Sequence, residues 1–335
     1  MSEIHGWMTT AASAPLELTA IEAGSLDADE VEVAVKYCGV CHSDLSMVRN
    51  EWHNARYPLI PGHEVIGTVT ALGANAKGLR IGQAVGIGWT AASCMHCRRC
   101  LSGNQVLCDE AVPTIVGHHG GFADKVRAHW AWTIPLPEGI DQASAGPLLC
   151  GGMTVFKPFV EYRIPPTARV GVVGIGGLGH LGVKFAAAWG CEVTAFTSNL
   201  GKSDEARAFG AHHVVASRDA KALRAAAGSL DLLIVTVNAA MDWDALLQTL
   251  DKRGRMHVVG VVPEPIPVPA FALISGQRDV SGSPTGSPVD IADMLAFAAR
   301  HDVRPQVEHF PMSEVNAALA HLQAGKARYR IVLDA

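Results

Sequence analysis

The chain has 335 residues, a formal charge of -5, 49% apolar and 18% charged residues, with 34 glycines and 18 prolines. That length exceeds what one hydrophobic core usually serves, so two domains are expected, and the composition is that of a compact enzyme, not a disordered or coiled-coil chain. Lys and Arg are scattered and no apolar run approaches the roughly 18 residues that span a bilayer, which argues against nucleic acid and membrane as partners and for small molecules in a cytoplasmic protein.

From the start to about Pro137 the pattern is short and broken. Alternating stretches such as Val31-Glu-Val-Ala-Val35 and Val65-Ile-Gly-Thr-Val69 are separated by Gly, Pro and Asn, which predicts a mainly β domain. Within it, Gly39-Val-Cys41-His42-Ser43-Asp44 and Pro61-Gly62-His63-Glu64 supply a thiolate and an imidazole from separate turns. Next come Cys94-x-x-Cys97-x-x-Cys100 and Cys108, four thiols in one short loop, a spacing that can wrap a tetrahedral Zn²⁺ with no position left open. Closed sites of this kind stabilise folding and do no chemistry. Eight cysteines without a secretory signal favour metal ligation over a disulfide framework.

Cys150 can join Cys41 and His63 as a third ligand. Two thiolates and one imidazole leave a vacancy, the pattern of a catalytic zinc acting as Lewis acid, and Glu64 can fill that fourth position when substrate is absent. After Gly139 the texture changes. Arg169-Val-Gly-Val-Val173, Glu192-Val-Thr-Ala-Phe196, Leu230 to Val235 and Arg255 to Val259 read as buried strands with helices between them, hence α/β with a parallel sheet. Gly174-x-Gly176-x-x-Gly179 follows the first of these strands and opens a helix beginning near Gly177 and stopping at Gly190, the context a dinucleotide fingerprint needs. Gly177 and Leu178 complete that phosphate-facing turn. At the end of the next strand, where an NAD site would place an acid, stand Phe196-Thr197-Ser198-Asn199. No carboxylate there repels a 2′-phosphate, hydroxyls of Thr197 and Ser198 can bond it, and Lys202 adds positive charge, so NADP(H) is the expected cofactor. Pro263 to Pro269 reads as an extended surface connection. A helix over Asp290 to His301 and a last strand at Arg330-Ile-Val-Leu333 follow, the latter without a sheet assignable from pattern.

The Cys-His-Ser-Asp turn, the Gly-His-Glu turn, the four-cysteine loop and Cys150 together resemble the zinc-containing medium-chain alcohol dehydrogenases over nearly the whole chain. Gly121-Phe-Ala-Asp-Lys125, Leu178-Gly-His-Leu-Gly182, Gly282-Ser-Pro-Thr-Gly286 and Arg328-Tyr-Arg-Ile-Val332 are most similar to the branch holding cinnamyl alcohol dehydrogenases and bacterial NADPH-dependent aldehyde reductases. The resemblance implies a GroES-like catalytic domain over 1–150 and 289–335 carrying both zinc sites, joined to a Rossmann NADP-binding domain over 151–288. It implies Cys41, His63 and Cys150 as catalytic-zinc ligands, Asp44 as the carboxylate orienting His63, and Ser43 as the proton relay, although a turn-capping Ser43 and a helix-end Asp44 remain open. It places Thr154 beside the nicotinamide, His42 near the pyrophosphate, and Trp52 and Trp89 in the substrate pocket, where simple packing is the other reading.

The expected reaction is reversible hydride transfer between NADP(H) and a primary alcohol/aldehyde pair, aromatic or medium aliphatic, in a homodimer. A polyol or secondary-alcohol dehydrogenase is the alternative within enzymes, and a non-catalytic nucleotide-sensing metalloprotein the alternative outside them. One position departs from many relatives: Ser46 stands where they carry a relay histidine. A hydroxyl does not store a proton at neutral pH, so a relay ending in cofactor ribose and water is expected.

Overall fold

A computed structural model describes residues 3–335. The chain forms two compact units. The first runs to Met153 and resumes at Thr285–Ala335; the second is Thr154–Pro284.

The first unit is built on a sheet ordered Val307–Pro311, Arg330–Asp334, Glu30–Val40, Val65–Leu72, Ala84–Ile87 and Ile134–Pro135, with Lys125–His129 added on Glu30–Val40. All its pairings are antiparallel except that between the two C-terminal strands. Glu30–Val40 is long enough to serve two neighbours on one edge. Residues 30–34 pair with Lys125–His129 and residues 37–40 with Arg330–Asp334, which answers where the final strand belongs. Val31, Val33 and Val35 enter the core with Val65, Val69, Val85, Phe122 and Val126, as period-2 alternation requires. Each such fully buried side chain contributes roughly 1.5–3 kcal/mol over leaving it in water. On the intervening face Glu32 sits opposite Arg127, which donates to it through Nε at 3.1 Å and Nη2 at 3.0 Å, so the charge is paired where it is largely shielded.

The second unit is a six-stranded, wholly parallel sheet ordered His213–Ala216, Glu192–Thr197, Arg169–Val173, Leu230–Val235, Leu250–Val258, Asp279–Gly282. The strand order reverses direction beside Arg169–Val173, which makes the carboxyl end of that strand the switch point where such sheets bind ligands. Strands buried on both faces need apolar residues throughout, and Val170, Val172, Val173, Leu232, Leu233 and Ile234 are completely buried. The helix after the first strand starts at Gly179, two residues later than its sequence pattern suggests, and ends on Gly190 at φ +101°, a left-handed cap that glycine adopts without strain. The fifth strand starts at Leu250, not Arg255, because Leu250 pairs with Leu230 before the register shifts near Arg253 and Gly254. Pro263 to Pro269 has no helix or strand. Among the described residues no helix is long and apolar enough to cross a membrane.

Candidate active site and metal centres

Cys41 terminates the strand Glu30–Val40 and caps the helix His42–Arg49 in an extended conformation. Asp44, in the first turn of that helix, accepts the Cys41 N–H at 2.9 Å through Oδ2. Its other oxygen accepts the Gly62 N–H at 2.9 Å and His63 Nδ1–H at 2.8 Å. The side chain is fully buried, so one carboxylate closes a helix end, fixes the Pro61-Gly62 turn and sets the tautomer of His63. The helix-end and His63-orienting readings of Asp44 thus describe one geometry. With Nδ1 so engaged, the imidazole turns Nε2 inward, 3.3 Å from Cys150 Sγ. Cys150 directly precedes the helix Gly151–Glu161.

Ligand atoms of Cys41, His63, Glu64 and Cys150 all lie within 4.8 Å of one another, and all four residues are buried. Glu64 Oε1 pairs with the Arg330 guanidinium, while Glu64 Oε2 is buried with no hydrogen-bond partner. Two thiols, an imidazole nitrogen and an orphaned carboxylate oxygen converging in a buried pocket match the donor set of a Cys₂His zinc site with a fourth position that a carboxylate can take. The electrostatics agree. A hydrogen bond from Cys150 holds the Cys41 thiol well below its usual range, with Arg330 adding to the effect against burial. Burial disfavours His63 protonation, but adjacent Asp44 outweighs it and raises the imidazole. Burial pushes Glu64 up, against the pull of Arg330.

Ser43 is half-buried, its Oγ 3.7 Å from Cys41 Sγ. Ser46 lies one turn on, on the same helix face, 2% exposed, and its hydroxyl donates to Glu51 Oε2 at 2.7 Å. Glu51 also contacts Arg49 at 3.6 Å and is 41% exposed. Trp89 meets the His63 ring edge to face at 5.0 Å, and Trp52 meets Trp89 at 6.0 Å. Both tryptophans are half-buried and lie over Met47, Leu59 and Ile115, forming an apolar wall beside the imidazole. His42 is exposed at the start of its helix.

The four-cysteine loop closes on itself. Cys94 Sγ is 3.5 Å from Cys108 and 3.9 Å from Cys100, and Cys97 Sγ is 3.9 Å from Cys108. Backbone N–H groups of Cys97, Cys100 and Glu110 point at Cys94, Cys97 and Cys108 sulfurs at 3.4–3.5 Å, and the bond from the Cys100 N–H lowers the Cys97 thiol to about 7. The lobe is tied down by the Val106 N–H donating to Ser287 Oγ, the residue that caps the helix Pro288–Arg300. The donor set is that of a closed structural zinc site.

In the second unit the glycine turn shows three different needs. Gly174 has φ +90°; a Cβ on Gly179 would lie 1.6 Å from the Gly174 carbonyl oxygen; a Cβ on Gly176 would meet nothing within 4 Å. Gly176 therefore faces open space, as a backbone approached by a ligand does. Gly177 lies between them, and Leu178 starts the helix without a side-chain cap, leaving N–H groups available to an anion. Thr197 is buried, its hydroxyl bonded within the turn to Asn199, and Ser198 is exposed at the turn's edge. Lys202 reaches back to the Ile175 carbonyl at 3.3 Å, which sets its ammonium against the glycine turn. Thr154 is buried on the helix Gly151–Glu161.

Neither Glu51 nor Arg330 was given a site role from the sequence. Glu51 needs the turn after residue 49 to fold back on Ser46, and Arg330 reaches Glu64, 266 residues away in sequence, only through the pairing of the last strand with residues 37–40, so neither has a local signal.

Residues 27–138 match the alcohol dehydrogenase GroES-like domain and residues 177–300 the zinc-binding dehydrogenase domain. The chain is 53% identical over 331 residues to aldehyde reductase AdhA of Synechocystis, covering 99% of this chain and 98% of that protein. It superposes on a cinnamyl alcohol dehydrogenase of Sorghum bicolor with TM-score 0.95 and 38% identity, over 99% of this chain and 98% of the other. A cinnamyl alcohol dehydrogenase of Helicobacter pylori in complex with NADP(H) matches with TM-score 0.91 and 27% identity, over 99% and 98% of the two chains. With two domain matches in the expected order and likeness of sequence and fold along the full length, the chain belongs to the zinc-dependent medium-chain alcohol dehydrogenase family.

Proposed function

We propose that the protein is an NADP(H)-dependent alcohol dehydrogenase acting on primary alcohol/aldehyde pairs, aromatic or medium aliphatic, and working mainly as an aldehyde reductase. The observation that carries this is the buried convergence of Cys41, His63 and Cys150 with Glu64 beside them. In this reading the unit running to Met153 and resuming at Thr285 is the catalytic domain with both zinc sites, and Thr154–Pro284 binds the cofactor. The Helicobacter relative holds NADP(H). The exposed Ser198, the Lys202 ammonium and the absence of an acid in Thr197-Ser198-Asn199 support the same cofactor here. A homodimeric, cytoplasmic enzyme is part of the same proposal.

When bound by Cys41, His63 and Cys150, a Zn²⁺ supplies Lewis acidity toward a carbonyl or alcohol oxygen. Asp44 keeps the His63 ring oriented with its proton on Nδ1. Glu64 is held by Arg330 at the edge of the ligand set, ready to occupy the fourth position. Trp52 and Trp89 exclude water and favour flat or apolar aldehydes.

Reduction consumes one hydride and one proton, and the proton is the part this chain's side chains handle. The Ser43 hydroxyl lies at the ligand set, its Oγ 3.7 Å from Cys41 Sγ. One turn further, Ser46 spends its own proton on Glu51 and keeps its lone pairs to accept another. A carboxylate stores a proton that a hydroxyl only passes, and Glu51 reaches solvent. In place of the relay to cofactor ribose and water expected from Ser46 alone, we infer that the relay ends on Glu51, where many relatives use a histidine. Steady-state oxidation of NADPH and NADH by zinc-replete protein over a panel of aldehydes, ketones and polyols tests the whole reading. Turnover of aldehydes with NADPH is expected; preference for NADH, or no turnover of any carbonyl, overturns it.

A further inference from the structure

Outside the two proposed zinc sites, one more group of metal-binding side chains converges among the described residues: ligand atoms of Cys94, His96 and Glu110 lie within 4.8 Å of one another. His96 occupies the middle of the Cys94–Cys97 turn, and Glu110 follows Cys108 with its backbone N–H held at 3.4 Å from the Cys108 sulfur. Both side chains are exposed, whereas Cys94 is half-buried and faces the other three thiols from that side.

Zinc bonds of about 2.0–2.3 Å to N, O and S put tetrahedral ligand atoms roughly 3.3–3.7 Å apart. Closing from 4.8 Å to that spacing takes about 1 Å of movement, which two exposed side chains supply by rotamer change. Charge favours a second cation. Four thiolates around one Zn²⁺ leave a core of net charge about -2, and Glu110 adds another negative charge. Of the two nearby arginines, Arg99 is tied to Asp109 and the Leu107 carbonyl, and Arg98 is exposed.

We propose that Cys94, His96 and Glu110 form a second divalent-cation site on the outer face of the four-cysteine lobe, sharing the Cys94 thiolate as a bridge and selective for a thiophilic ion such as Zn²⁺ or Cd²⁺. A closed four-thiolate shell has no vacant position, so associative replacement of its ion proceeds through a thiolate shared with the incoming one. The outer site holds that incoming ion at the accessible ligand. It therefore takes one ion beyond those of the catalytic and four-cysteine sites and sets the rate at which the four-cysteine ion is replaced.

This inference rests on the four-cysteine loop holding zinc, so zinc content is measured first. Zinc-replete protein is then titrated with Cd²⁺, following bound metal per chain and thiolate-to-cadmium absorption, alongside His96→Ala and Glu110→Gln, both at exposed positions. The wild type takes up an extra Cd²⁺ equivalent with new thiolate absorption. Each variant keeps its original zinc and folding midpoint, binds the extra ion at least about tenfold more weakly, and replaces its lobe zinc correspondingly slowly. Absence of an extra equivalent in the wild type, or undiminished uptake in both variants, overturns the proposal. Loss of the lobe zinc from the wild type as isolated refutes the four-cysteine reading instead.

Discussion

Replacing Asp44 by Asn tests whether one buried carboxylate builds the catalytic pocket. Asp44 accepts from Cys41 N, Gly62 N and His63 Nδ1 at 2.8–2.9 Å with no solvent access. The amide keeps one acceptor oxygen and turns its NH₂ toward at least one of these donors. A buried donor left unpaired costs about 1–3 kcal/mol, and each remaining bond, no longer to a charged acceptor, weakens by about 1 kcal/mol. The expected loss is therefore roughly 3–5 kcal/mol in the stability of the unit running to Met153. Freed from its carboxylate, His63 should bind metal about 10–100-fold more weakly. Chelator competition resolves the two zinc ions by affinity, and denaturant unfolding followed by tryptophan fluorescence reports mainly the unit running to Met153, which holds five of the seven tryptophans, Trp52 and Trp89 among them. Only the weaker-held ion should respond, with the four-cysteine ion unchanged. A variant that retains both ions within about twofold affinity and an unshifted unfolding midpoint refutes the assignment of Asp44 as the organiser of this pocket.

Glu51→Gln and Ser46→Ala should each lower kcat by about tenfold or more and flatten its pH profile while leaving KM for aldehyde nearly unchanged; an unaltered profile in both removes the pair from proton transfer. Gly176→Ala should leave the melting temperature intact and weaken NADPH binding, whereas Gly179→Ala, whose Cβ would overlap the Gly174 carbonyl, should lose about 1–3 kcal/mol of stability as well as affinity. Equal behaviour of the two in cofactor titration and melting contradicts the roles given to these glycines. His257 is fully buried between Ser281 and Ser283, and burial together with neighbouring Arg255 lowers its imidazole to about 4. Between that value and about 6.5 the unfolded chain binds the proton and the folded one does not, so stability falls as pH drops through this window, by about 2 kcal/mol at pH 5. His257→Gln should remove that part of the pH dependence in urea unfolding at pH 7.5 and 5; parallel losses in variant and wild type contradict it.

Chemistry that depends on close spacing was legible in the chain. Cys94, Cys97, Cys100 and Cys108 share one loop, and Gly174, Gly176 and Gly179 share one strand-to-helix turn, so local geometry alone brings each set together. The four parallel strands from Arg169 onward announce themselves because burial on both faces demands continuous apolar runs. His213–Ala216 and Asp279–Gly282, short edge strands that are only partly buried, do not. The pocket around Cys41, His63 and Cys150 is different in kind. Its members come from three separated segments, so residue type made them a candidate ligand set, and likeness to a known family assigned them to one site.

Tertiary structure alone decided what surrounds those ligands. The last strand returns to pair with residues 37–40 and carries Arg330 onto Glu64; the turn after residue 49 folds Glu51 onto Ser46; Asp44 bridges a helix end and a distant turn. Each of these contacts joins residues whose identities carry no local preference for one another. A sequence encodes such contacts only through the burial of whole strands and helices, because it is the packing of those elements, and not any motif, that brings the charged groups within hydrogen-bonding reach.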